Sequence, residues 1–227
     1  MSDKKLLKIY TTLFDSFGPQ GWWPAKTRFE VIVGAILTQN TNWKNVEKVI
    51  AAMQGEGLFE PKKLDKVTLQ RLAELIRPAG YFNQKAKKLK AFMNYFEKYN
   101  LDVEKMMRED LTTLRDELLS VWGIGPETAD AILLYALDKP VFVMDAYTRR
   151  VFSRMGFVDE KIGYEDLRGF FESSAWDKTE DSRLKTFKEF HALIDELAKR
   201  YCKPVPLCEK CPVSHLCNFS GKTYAHI

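Results

Sequence analysis

The chain's four cysteines crowd into one stretch near its end: Cys202, Cys208, Cys211 and Cys217, spaced C-x5-C-x2-C-x5-C. Thiolates set this close can hold one metal centre, and no spare thiol occurs elsewhere. Zinc ribbons usually offer two C-x2-C pairs, and here only Cys208 and Cys211 form one. Disulfides suit an oxidising compartment, and a metal suits a cytosolic chain better. A second signal lies upstream, in the turn Gly123-Ile124-Gly125 and the lone Asp145. A glycine turn that opens a helix leaves amide groups uncovered, and those amides with the helix dipole favour an anion. A carboxylate ahead of Ala146-Tyr147-Thr148-Arg149 reads first as a helix N-cap.

The elements that must position these groups are helical. Leu69, Leu72, Leu75 and Ile76 recur at helical spacing, as do Leu111, Leu114 and Leu118. Phe187, Phe190, Ile194 and Leu197 repeat the pattern just before the cysteines. Thr128 to Leu137 predicts a compact apolar helix, stopped by Asp138-Lys139-Pro140. The only strand-like run is Val141-Phe142-Val143-Met144, which is too short to build a sheet. The chain is therefore expected to be all-α, and Pro140 marks a passage between two helical lobes that puts Asp145 near a cleft. Leu118 to Asp130 reads as helix, tight turn, helix.

At 227 residues and 45% hydrophobic content, the chain can bury a real core and is too apolar for disorder. No apolar run is long enough to span a bilayer, and Met1-Ser2-Asp3-Lys4-Lys5 lacks the features of a secretory signal. The expectation is a cytoplasmic, nucleoid-associated monomer. A net charge of +4 points only weakly to a polyanion. The bases gather in two groups, Lys85, Lys87, Lys88 and Lys90, then Arg149, Arg150 and Arg154. Each group is either a solvated helix face or a nucleic-acid contact.

Five motifs in order carry a family resemblance. They are Leu37-Thr38-Gln39-Asn40-Thr41, Gly80-Tyr81-Phe82-Asn83-Gln84-Lys85-Ala86, the glycine hairpin, Val143 to Val151 around Asp145, and the cysteine cluster. From about Thr27 to Cys217 the chain resembles the endonuclease III superfamily of helix-hairpin-helix DNA glycosylases. The resemblance implies two α-helical lobes. A six-helix barrel would span 26–135, with its helix-hairpin-helix at about 111–136. A discontinuous lobe would combine 1–25 with 136–227 and carry a [4Fe–4S] cluster on the 202–217 loop. The implied partner is double-stranded DNA with a damaged base flipped out across a cleft. One departure is visible: five residues, Lys203 to Leu207, separate the first two cysteines, where the family usually has six.

The resemblance also assigns roles. Asp145 matches the catalytic aspartate, which stabilises the positive charge that builds on the sugar and orients or deprotonates water. Gly123, Ile124, Gly125 and Thr128 match the hairpin that meets a DNA phosphate, and Arg149 a further DNA contact. Gln39 matches the side chain that fills the gap left by the flipped base, and Tyr81 the wedge against the opposite strand. Bifunctional relatives carry a lysine directly before the hairpin's Thr-Ala, and here Glu127 stands there. This implies a monofunctional enzyme that uses water. Trp22, Trp23, Pro24 and Trp43 resemble the base pocket of the 3-methyladenine branch, in which indole faces would stack on a cationic purine. That branch often lacks the cluster cysteines. A mismatched thymine or uracil or an oxidised pyrimidine is the alternative substrate, and a catalytically silent iron–sulfur protein that binds damaged DNA is the alternative class. His191 reads as a packing residue on an amphipathic helix.

Overall fold

A computed structural model describes residues 2–174, 176 and 179–221. Residues 1, 175, 177, 178 and 222–227, which the expected discontinuous lobe would include, lie outside the described residues. Every regular element among the described residues is helical, as the periodicity predicts. The helices are α1 (Ser2–Phe17), α2 (Arg28–Leu37), α3 (Trp43–Gly55), α4 (Pro61–Lys66), α5 (Leu69–Leu75), α6 (Phe82–Phe96), α7 (Val103–Met107), α8 (Leu111–Ser120), α9 (Pro126–Ala131), α10 (Ala146–Arg154), α11 (Tyr164–Glu172) and α12 (Glu180–Arg200). They form two compact units, Trp23–Lys139 and the combination of Met1–Trp22 with Pro140–Ile227. The boundaries expected from sequence lie at 25/26 and 135/136.

In the Trp23–Lys139 unit, α2 is the central helix. Thr27 caps it by accepting the Glu30 amide at 3.1 Å. Every residue from Phe29 to Leu37 is buried, so the helix packs all round its circumference rather than along one stripe. Each large apolar side chain so buried contributes about 1.5–3 kcal/mol. Glu30 is buried as well, and it accepts from Gln54 at 3.2 Å and from the Lys26 amide at 3.2 Å. Lys85 on α6 is a second buried charge. Its ammonium donates to the Ala79 carbonyl at 2.8 Å, and burial, with Lys88 adding to it, pulls its pKa down to about 8. It thereby ties α6 to the turn that delivers Tyr81, whose φ of 45° is left-handed.

The hairpin joins α8 to α9 in the same unit. Asp110 caps α8 through the Thr113 amide at 3.0 Å. Arg115 on α8 grips the fully buried Asp130 on α9 with two hydrogen bonds, at 2.7 and 3.3 Å. Ile124 turns inward and is buried, while Trp122 is 56% exposed. Helical structure begins at Pro126, where proline suits the first helical position. Past Ala131 it continues as a π-helical turn, Ile132–Ala136, which the apolar pattern does not distinguish from an ordinary helix.

The other unit packs α1, α10, α11 and α12 around an aromatic core. Phe142 stacks on Phe171 at 4.5 Å, and Phe152 meets Phe171 edge-on at 4.6 Å. Phe187, Phe190, Ile194 and Leu197 on α12 are fully buried, as their spacing predicts. Val141 to Met144 is extended and buried but joins no sheet. Its polar backbone is met by side chains instead: the Phe142 amide donates to Glu172 at 3.0 Å. No helix among the described residues is long and apolar enough to cross a membrane.

The two hairpin glycines make different demands. Gly123 has φ +84°, and a Cβ there would stand 2.4 Å from Lys88 Cγ. Gly125 has φ −97°, and a Cβ would meet nothing within 4 Å. Gly123→Ala is therefore expected to destabilise the fold by about 1–2 kcal/mol or more from backbone strain alone. Gly125→Ala should leave the free energy of urea unfolding within about 0.5 kcal/mol of the parent, with a nearly unchanged midpoint. Equal midpoints for the two variants would contradict this reading of the turn.

Candidate functional site

Asp145 is the N-cap of α10, and its geometry follows from that. Asp145 has an extended backbone, and its Oδ1 accepts the Thr148 amide at 2.7 Å. The N-cap expectation for this residue is thus met in full. The second oxygen, Oδ2, lies 3.8 Å from His191 Nε2, beyond ordinary hydrogen-bond reach. His191 comes from α12, which packs along α10. One turn further along α12, burial raises the pKa of the Asp195 carboxyl, while an ion pair with Lys199 opposes that rise. The Lys199 ammonium also lies 5.9 Å from the Trp22 ring centroid and 6.0 Å from that of Tyr147. Asp145, His191, Asp195 and Lys199 thus run in sequence, with aromatic rings at the far end.

The cysteine loop belongs to the same unit. Cys202, Cys208, Cys211 and Cys217 all line one small cavity of roughly 30 Å³, with Val151, Leu197 and Tyr201 among its apolar walls. Burial, with the three other sulfurs adding to it, pushes the Cys211 thiol up to about 11. Two residues of α10 hold this loop. Arg150 donates to the Cys202 carbonyl at 2.8 Å. Arg154 donates to the Lys203 carbonyl at 2.6 Å, the Pro204 carbonyl at 3.0 Å and Cys202 Sγ at 3.5 Å. Arg149 donates to the Ile162 carbonyl. All three arginines of the basic cluster therefore have partners within the chain, a use that charge counting could not reveal. Among the described residues, no three His, Cys, Asp or Glu side chains converge where a single ion could sit.

The Trp23–Lys139 unit carries the hairpin and Gln39. The Gln39 carboxamide donates to the Gly123 carbonyl at 3.1 Å and to Thr128 Oγ1 at 2.9 Å, and it accepts from Lys88 Nζ. Thr128 is buried and faces this network. Among the described residues, the amides of Gly123 and Gly125 are donated to no carbonyl. Tyr81 is 71% exposed. Trp23 meets Trp43 edge-on at 5.4 Å and Tyr135 at 5.6 Å, and it lies against Gly34, where a Cβ would be 3.3 Å from Trp23 Nε1. Pro24 is exposed.

Of the four residues assigned to a base pocket, Trp23 and Trp43 are in contact, whereas Trp22 falls in the other unit beside Lys199. Sequence reasoning missed three participants. Tyr135 was hidden within an apolar helix. Lys88 was counted only as charge, although its place one turn after Lys85 could have paired it with the hairpin. Lys199 follows His191 and Asp195 at four-residue steps on α12, a spacing that was legible.

Residues 33–175 match the family described as "HhH-GPD superfamily base excision DNA repair protein". MJ1434 of Methanocaldococcus jannaschii, whose name carries only a provisional assignment as a DNA repair glycosylase, is 49% identical over 93% of this chain and 95% of its own length. Endonuclease III of Sulfolobus acidocaldarius is 30% identical over 86% of this chain and 84% of that protein. Among solved structures, the H. pylori 3-methyladenine DNA glycosylase MagIII bound to 1,N6-ethenoadenine superposes with TM-score 0.74. It is 31% identical and covers 86% of this chain and 96% of that one. With a family match that spans more than half of its length, and a curated relative that matches it nearly end to end, the chain belongs to the HhH-GPD superfamily of base excision DNA repair proteins.

Proposed function

We propose that the protein is a monofunctional DNA glycosylase that hydrolyses the N-glycosidic bond of alkylated purines flipped from double-stranded DNA. It would work as a monomer in the cytoplasm, on the nucleoid. The observation that carries this reading is the setting of Asp145. The cap bond fixes Oδ1, so the carboxylate cannot swing away, and Oδ2 remains without a close partner in the same bond. A fixed anion placed where a sugar turns cationic lowers the barrier to loss of the base. The same oxygen can orient the water that adds to the anomeric carbon. A cationic alkylated purine leaves as a neutral base, so the site needs no strong acid.

Three further roles follow. The amides of Gly123 and Gly125, which donate to no backbone carbonyl among the described residues, suit a backbone phosphate, a contact that positions DNA without reading its sequence. Ile124 and Thr128 support that turn from the buried side. Gln39 would fill the gap left by the flipped nucleotide, and the exposed Tyr81 would wedge the opposite strand. Arg149 would contact DNA only by leaving the Ile162 carbonyl. Trp23, Trp43 and Pro24 would line the base pocket with Tyr135. Similarity to an enzyme titled a 3-methyladenine DNA glycosylase supports the alkylpurine class.

The four cysteines that line one cavity support a [4Fe–4S] cluster as the resident group. Four sulfurs share the cavity walls, a guanidinium donates to one of them, and burial makes bare thiolates costly without a cation. Cys202, Cys208, Cys211 and Cys217 would hold the cluster, which supplies a rigid anionic core rather than the bond-breaking chemistry. Through Arg150 and Arg154 the loop then braces α10 from its far end.

Two measurements test the reading. The first incubates the protein with duplexes that carry 3-methyladenine, 7-methylguanine, uracil or thymine opposite guanine, or oxidised pyrimidines. Release of the alkylpurines is expected, with alkali-labile sites but no strand cleavage. A covalent adduct trapped by borohydride would overturn the monofunctional assignment, and exclusive release of pyrimidines would favour the endonuclease III-like alternative. The second is elemental analysis. Purified protein should be brown, with about four irons per chain, and colourless protein that holds zinc would end the cluster assignment.

A further inference from the structure

Gln39 is held at both ends. Its Nε2 donates to the Gly123 carbonyl at 3.1 Å and to Thr128 Oγ1 at 2.9 Å. Its Oε1 accepts from Lys88 Nζ. A glutamine gives up much rotamer freedom in such a grip, so the arrangement needs all of these partners. The Lys88 stem crosses the hairpin itself, since a methyl on Gly123 would stand 2.4 Å from Lys88 Cγ and 2.9 Å from Cδ and Cε. One lysine therefore touches both the hairpin turn and the side chain assigned to the gap. The buried Lys85 lies one turn away on α6, and the two ammonium charges disfavour each other. An anion that arrives at the hairpin would relieve that repulsion.

We propose that Lys88 is a positioning residue for the gap-filling glutamine. It keeps Gln39 docked on the hairpin until a DNA phosphodiester takes its ammonium. This rests on the reading above, in which the hairpin meets the DNA backbone and Gln39 enters the gap. The exchange runs in the required direction, because an ammonium bonds a phosphate oxygen more strongly than a neutral amide oxygen. Seating of the backbone and release of the glutamine then become one event. A protein that has not engaged a duplex keeps its intercalating side chain folded away.

The test uses full-length protein and a duplex with a tetrahydrofuran abasic-site analogue opposite 2-aminopurine, so it needs neither a known substrate nor catalysis. Stopped-flow fluorescence follows the unstacking of 2-aminopurine at saturating protein, and titrations across a salt series give affinity. Lys88→Met keeps the stem over Gly123 and removes the charge. It is expected to unstack the probe at least about threefold faster, because the dock is lost. It should also bind more weakly, with the slope of log affinity against log salt reduced by about 0.9, the value for one phosphate contact. Opposite shifts in rate and affinity are not what general damage to the fold produces. Lys88→Arg should restore both values towards the parent. An unstacking rate for Lys88→Met at or below the parent's, or an unchanged salt slope, would overturn the proposal. Gln39→Ala separates this failure from a wider one. If that variant keeps the full unstacking signal, Gln39 fills no gap, and the parent reading falls along with this proposal.

Discussion

The structure turns on one short hydrogen bond, from the Thr148 amide to Asp145 Oδ1 at 2.7 Å. The first amides of any helix need acceptors, and a side-chain oxygen at the cap is the usual solution. Here that requirement fixes the position of a carboxylate whose second oxygen is the proposed reacting group. Capping and the proposed catalytic role are therefore compatible uses of one side chain rather than rival readings. The cap fixes the rotamer, and the fixed rotamer pre-organises the charge. His191, 3.8 Å from Oδ2, and the half-buried Asp195 complete a polar row on α12 beside an otherwise aromatic core.

The rest of each unit can be read as support for such fixed groups. At the C-terminal side of α10, Arg150 and Arg154 reach the cysteine loop, so that loop braces the helix that carries Asp145. In the other unit the buried Arg115–Asp130 pair clamps the two arms of the hairpin. A pair of this kind adds little net stability over apolar packing, and its attested value lies in specifying one arrangement. Lys85 does similar work at the turn before Tyr81, held by a single carbonyl at a cost that shows in its lowered pKa.

Much of the fold was legible because helical periodicity is a strong signal. Phe187, Phe190, Ile194 and Leu197 are buried where their spacing put them, and the all-α class followed from such runs. The π-helical turn at Ile132–Ala136 was not legible, since five consecutive apolar residues fit either helix type. At the site, residue types carried more information than contacts. The glycine turn was visible, but the different demands on Gly123 and Gly125 depend on φ and on the Lys88 stem, which sequence does not give. Arg150 and Arg154 looked like a surface charge cluster because their acceptors, the carbonyls of residues 202–204, lie about fifty positions away. The adjacency of Trp22 and Trp23 hid the unit boundary that falls between them.

Asp145→Asn tests the central claim most directly, because asparagine caps a helix about as well as aspartate while carrying no charge. Single-turnover release of base from an alkylated-purine duplex should be measured beside thermal melting and duplex affinity. The account predicts an unchanged melting temperature, near-parental affinity and a release rate lower by at least on the order of 10²–10³-fold. Release at the parental rate from a folded, DNA-bound Asp145→Asn protein would contradict it.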